Sequence, residues 1–131
     1  MNYVRIVTCF ILSLSCLQTA FAISPGDKIE YSITVNNTSA NAIKADNKNI
    51  NPRQTNVTVA KYTDVANAST YNIAHQVKIT DQNNAEICTV TGHIDFTARG
   101  MSMYAENSNP ERCEKSNGMF DNGFGLIVTV K

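Results

Sequence analysis

From Asp27 onward, apolar residues recur at every second position, and this period of two narrows the fold more than any other feature. In "DKIEYSITV", Ile29, Tyr31, Ile33 and Val35 share one parity, while Lys28, Glu30, Ser32 and Thr34 take the other. Alternate side chains fall on opposite faces only in an extended strand, so this pattern reads as a strand with one buried face. "TYNIAHQVKIT" sets Tyr71, Ile73, His75, Val77 and Ile79 on one face, and "AEICTVTGHIDFTA" does the same with Cys88, Val90, Gly92, Ile94 and Phe96. "FGLIVTVK" closes the chain with Phe124, Leu126, Val128 and Val130. "TNVTVAKY" is a shorter strand, and "NAIKA" and "MSMYA" are weaker ones. No stretch carries the 3.6-residue stripe of an amphipathic helix.

The connections are "NNTSAN", "DNKNINPRQ", "DQNN" and "NSNPERCEKSNG". Asn and Asp bond their own backbone and tolerate left-handed conformations, so such runs punctuate strands. "DNGFG" reads as a glycine-permitted turn before the last strand. The pattern predicts an all-β fold: a small antiparallel β-sandwich of six to seven strands with one disulfide. A small β-barrel is the runner-up.

The first 22 residues read as a leader rather than as fold. "MNYVR" carries one basic residue, "IVTCFILSLSCL" is a short apolar run, and "TAFA" places Ala20 and Ala22 as an A-x-A cleavage site. The run is too short to span a bilayer. Cys16 offers a lipidation rival, but Ser13 stands where lipoprotein leaders carry Leu. Cleavage after Ala22 leaves residues 23–131 as a single exported β domain, periplasmic or extracellular, with no later membrane span. Arg5 leaves with the leader, so the eleven basic residues become ten against eleven acids. No basic block remains to neutralise a phosphate backbone, which argues against a nucleic-acid partner.

Cys88 and Cys113 are the cysteines left after processing, an even count in an exported chain, and they read as a disulfide. There is no C-x-x-C, and the acids flanking Cys113 disfavour a reactive thiolate. Four N-x-[ST] matches occur, at Asn36, Asn37, Asn56 and Asn67; chance supplies about two or three in a chain so rich in Asn, Ser and Thr, so they are no evidence of glycosylation unless the host is eukaryotic.

"ITDQNNAEI" reads as a hairpin turn. With Asp81 opposite Asn84, Val77 faces Cys88, His75 faces Val90, Ile73 faces Gly92 and Tyr71 faces Ile94 on the buried side. Asn72 then meets His93 on the wet side. This register places His75 on the core face and His93 on the solvent face, so the two do not converge on one metal or substrate. His93 and Asp95 share a face and are weak metal candidates, but zinc needs a third ligand from elsewhere. Met101 and Met103 share a face and read as core packing. The sequence carries no catalytic, cofactor or calcium-loop motif, and no cofactor is expected.

The functional expectation is a non-enzymatic exported domain that binds a surface partner, a host molecule or a target enzyme, the partner being a protein or a glycan. Its contact surface is expected in the loops Asn36–Gln54 or Asn107–Gly118. The alternatives are a structural subunit that assembles by β-strand addition and a small secreted hydrolase.

Overall fold

The structure is a computed structural model that describes residues 2–3, 5–8, 19–120 and 123–131. Among these residues strands joined by turns and loops make up the chain, with no helix. The strands are β1 (Asn2–Tyr3), β2 (Arg5–Thr8), β3 (Thr19–Ala22), β4 (Asp27–Asn37), β5 (Ile43–Ala45) and β6 (Lys48–Ile50). They continue as β7 (Val57–Val65), β8 (Tyr71–Asp81), β9 (Glu86–Thr97), β10 (Gly100–Asn107), β11 (Cys113–Phe120) and β12 (Gly123–Val130). Residues 9–18, including Cys9, Cys16 and most of the apolar run of the expected leader, lie outside the described residues, as do Asp121 and Asn122 of the expected last turn.

Two sheets face each other. One has the order β7-β4-β12-β11, and the other β10-β9-β8-β5-β6. β1 adds a two-residue parallel contact to β4 at Asp27 and Lys28, and β2 with β3 forms a separate hairpin. No barrel closes. On one flank β11 leans toward β10 through side chains instead of a ladder: Lys115 Nζ donates to the Ala105 carbonyl and Asn117 Nδ2 to the Tyr104 carbonyl.

The core lies between the sheets and follows the period-two pattern. Ile29, Tyr31, Ile33 and Val35 of β4 are at most 1% exposed. They face Ile73, Val77 and Ile79 of β8 and Val90, Ile94 and Phe96 of β9 in one contiguous cluster. Each such aliphatic side chain contributes roughly 1.5–3 kcal/mol by leaving water. Met101 and Met103 pack against the cluster from β10.

Three features depart from the expectation. First, β12 runs parallel to β4, from Phe124 opposite Tyr31 to Val130 opposite Asn37, so this sheet is mixed. A parallel pair needs a long crossover, and here the whole domain between the two strands supplies it. Second, β6 and β11 fall in stretches that read as turn. β6 has one buried residue, Ile50, and β11 has one, Cys113, so neither shows an apolar alternation. Cys113 therefore opens a strand and does not sit in a loop. Third, the segments expected to be free loops are partly structure. Within Asn36–Gln54, Asn37 is fully buried and donates through Nδ2 to the carbonyls of Asn41 (2.8 Å) and Asn51 (3.0 Å). The C-terminal half of Asn107–Gly118 belongs to β11.

Candidate functional site

The geometry of both histidines begins at the turn between β8 and β9. Asp81 N donates to Ala85 O (2.9 Å) and Asn84 N to Asp81 O (3.1 Å), which closes a three-residue loop. Asn84 takes the left-handed conformation at φ 64°, as the last residue of such a loop does. Asp81 Oδ1 accepts from Asn83 N (2.8 Å) and Ala85 N (2.9 Å), so one carboxylate organises the turn.

An odd loop alone would set Ile79 opposite Ile87 and turn the core residues of β9 outward. The register shift between Ile79 and Thr80 prevents this: Ile79 pairs with Cys88 and Thr80 with Glu86, leaving Ile87 as the bulged residue. Loop and bulge together move the pairing two residues from the expected register. A shift of two keeps every side chain on its expected face and changes every partner. Val77 faces Val90 rather than Cys88, His75 faces Gly92 rather than Val90, and Ile73 faces Ile94 rather than Gly92. Tyr71 faces Phe96 rather than Ile94, and Asn72 faces Asp95 rather than His93.

On the outer face of this sheet, the pairings of β8, β9 and β10 form three rows: Asn72–Asp95–Ser102, Ala74–His93–Tyr104, and Gln76–Thr91–Glu106. Residues two apart on a strand are roughly 7 Å apart, so the rows are separated by about that distance. In the middle row the His93 and Tyr104 rings stack, with centroids 4.5 Å apart and planes 7° apart. His93 Nε2 also donates to Glu106 Oε2 at 3.2 Å. His93 thus turns to Glu106, thirteen residues away, and not to its neighbour Asp95. It is itself mostly covered, at 20% side-chain exposure, while Glu106 is 72% exposed. Tyr104 keeps 46% exposure. The result is an open aromatic ring at the sheet margin, flanked on its own strand by Ser102 and Glu106, with one ring face against His93.

Between the sheets lies a second polar group. His75 Nε2 donates to Asp64 Oδ2 at 2.7 Å, and its ring stacks on Tyr62 with centroids 3.8 Å apart. Tyr31 lies tilted beside it, 5.2 Å between centroids. The Tyr31 hydroxyl donates to Asn117 Oδ1 (3.1 Å), and Asn117 in turn holds the Tyr104 carbonyl. The hydroxyl occupies the space over Gly92: a Cβ there would stand 1.9 Å from it. Burial pushes the Tyr31 phenol up to about 12. A glycine amid the bulky core parity of β9 is the sequence signal for this contact. Tyr104 and Glu106 carried only the weaker alternation of "MSMYAEN".

Chemically, the inner group is a hydrogen-bonded aromatic cluster, and Asp64 fixes the imidazole. Among the described residues no three His, Cys, Asp or Glu side chains are placed to hold a metal ion, and His93 and Asp95 gain no third ligand. Cys88 of β9 and Cys113 of β11 are joined in a disulfide that crosses between the sheets, with Cα atoms 6.5 Å apart. A shallow cleft of about 320 Å³ lies between Asn41–Ala42 and Asp81–Asn83, lined by loop residues. No family model, curated protein or solved structure matches this chain.

Proposed function

We propose that this chain is an exported, non-enzymatic β domain that binds through the margin of β10, with Tyr104 as the contact ring. The observation that carries the reading is Tyr104 itself, 46% exposed yet stacked on His93 beside a Glu106 held by the same imidazole. An exposed ring whose neighbours are already fixed loses little side-chain entropy on binding. A glycan suits this surface better than a protein does. A protein interface wants an apolar centre of some size, whereas here one ring is surrounded by the hydroxyl of Ser102 and the carboxylate of Glu106. A sugar ring can stack its C–H face on Tyr104 while its hydroxyls meet those groups. The near balance of charge supports no nucleic-acid role.

Native electrophoresis in gels cast with a neutral glucan, a mannan, a galactan or an N-acetylglucosamine polymer tests this. Retardation by at least one polymer, abolished in Tyr104→Ala and kept in Tyr104→Phe, is expected. No retardation by any of them, or retention in Tyr104→Ala, overturns the reading. Export belongs to the same proposal: cleavage after Ala22 gives an intact mass for residues 23–131, and a full-length or lipid-bearing mass refutes it.

A second reading, assembly by strand addition, draws on β11. It is an edge strand in which Met119 and Phe120 remain 50% and 46% exposed. A monomeric elution of the exported protein at high concentration removes this alternative.

A further inference from the structure

We infer that removal of the leader creates an ion pair between the new α-ammonium of Ile23 and the buried carboxylate of Asp27, so that processing itself fastens the start of the sandwich. The inference rests on cleavage after Ala22, as the export reading does.

Asp27, the first residue of β4, is 2% exposed in the uncut chain, where β1 of the leader pairs beside it. Among the described residues no ion pair includes it. Its neighbour Lys28 lies on the opposite parity, with the outer-face residues of β4. The contact found for its carboxylate is with a neutral donor: Ser24 N donates to Asp27 Oδ2 at 2.9 Å. A buried carboxylate with no counter-charge is costly, and a cation within reach relieves that cost.

The backbone around it is fixed. Asp27 N donates to Ser24 O (3.0 Å), Gly26 N to Ala66 O (2.7 Å) and Ala66 N to Asp27 O (2.9 Å). These bonds hold the 24–27 turn against the end of β7. Ile23 is itself anchored, 7% exposed and part of the core cluster. The side chain of residue 23 and the amide of residue 24 are thus both held beside the same carboxylate.

Hydrolysis of the Ala22–Ile23 amide by a signal peptidase adds one water. Ala22 keeps the carboxylate, and the released amine on Ile23 takes up a proton. The nitrogens of consecutive residues are separated by three bonds, at most about 3.7 Å. The new ammonium therefore arises within about 6.6 Å of Asp27 Oδ2, given the Ser24 contact. Opposite charges at roughly 4–6 Å stabilise each other strongly when one is buried. Before the cut, the same nitrogen is a neutral amide and cannot serve.

The test uses the full-length precursor, exported under its own leader, in four forms. These are the wild type, a variant with one serine inserted between Ala22 and Ile23, Asp27→Asn, and the two changes together. Intact mass reads the new terminus of each. The insertion moves the ammonium one residue away and leaves Asp27 in place. It is expected to lower the thermal midpoint of the wild type by about 4 °C or more, and to leave Asp27→Asn unchanged. An equal loss in both backgrounds, or none in either, overturns the ion pair. A wild-type mass that does not begin at Ile23 overturns the leader reading, and the inference with it.

Should Asp27→Asn fail to fold, amine acylation near neutral pH gives an independent answer. The Ile23 amine of the folded wild type should resist the reagent, and the displaced amine of the serine-inserted form should react. Equal rates overturn the pairing.

Discussion

Gly92 and the Tyr31 hydroxyl compete for one space, and this makes a sharp residue-level prediction. A methyl at position 92 would stand 1.9 Å from that hydroxyl and 3.1 Å from Cζ of the ring. Gly92→Ala should cost about 3 kcal/mol, the upper end for overpacking. Tyr31→Phe should cost about 1–2 kcal/mol, because Asn117 Oδ1 loses its donor. Together they should cost less than their sum, a coupling that denaturant melts of the four proteins will read. The same phenol sets an alkaline limit. Its folded value is raised to about 12 by burial, from an ordinary value of 10. The stabilisation from keeping it neutral is therefore complete below pH 10 and is lost as pH climbs from 10 through 12. Denaturant midpoints over that window should fall less steeply in Tyr31→Phe. The histidines divide as their surroundings do. His75→Ala strands a half-buried Asp64 and removes the Tyr62 stack, so about 1–3 kcal/mol is expected by melting. His93→Ala loses a cross-strand stack and a hydrogen bond to the exposed Glu106 carboxylate, about 0.5–1 kcal/mol. In the sequence, parity shows which face each histidine takes. Their partners Asp64 and Glu106 depend on other strands and on the register, so parity does not show them.

At the scale of elements, the β8–β9 hairpin explains what the pattern can and cannot reveal. Buried parity was legible because each long strand has a dry face, and any register that exposed it would be expensive. The register was not legible, because shifts of two residues preserve that parity. Local turn chemistry decides among them: Asn84 in the left-handed region, Asp81 bonding two amides, and Ile87 bulged out. Asp81→Ala removes both side-chain bonds to the turn and should cost about 1–2 kcal/mol. It should also raise amide exchange at Asn83 and Ala85 before the centre of the sheet. A mutant as stable as the wild type would place the register elsewhere, in the bulge or the core. β11 shows the complementary failure of pattern reading. Its inward parity is Cys113, Lys115, Asn117 and Met119, and two of these hold carbonyls of β10 and do not fill the core. A strand that closes a flank through polar side chains carries no apolar alternation to find.

For the molecule as a whole, the disulfide has an architectural meaning that cysteine counting alone does not give. It joins β9 in one sheet to β11 at the edge of the other, across 25 residues of sequence. β11 has a weak claim on its place. Apart from Cys113 it buries no residue, and its ladder runs to β12 alone. The bridge holds that strand at the end where Cys113 faces Val130, next to Asn107 Nδ2 donating to the Cys113 carbonyl at 2.8 Å. Closing a 25-residue loop lowers the entropy of the unfolded chain by the equivalent of about 3–4 kcal/mol, on the loop-entropy model. Against a total stability of about 5–15 kcal/mol for a domain of this kind, that is a large share. The paired change Cys88→Ala with Cys113→Ala should therefore lower the denaturation free energy by about 3–4 kcal/mol with a larger m-value, since its unfolded state is no longer cross-linked and exposes more surface. Hydrogen exchange should show where the loss falls. β11 and the segment from Ser108 to Arg112 should open well before β8 and β9, whose ladder does not depend on the bridge. If all strands lose protection together, β11 is an integral part of one cooperative sandwich. In that case the disulfide stabilises the domain through its unfolded state alone.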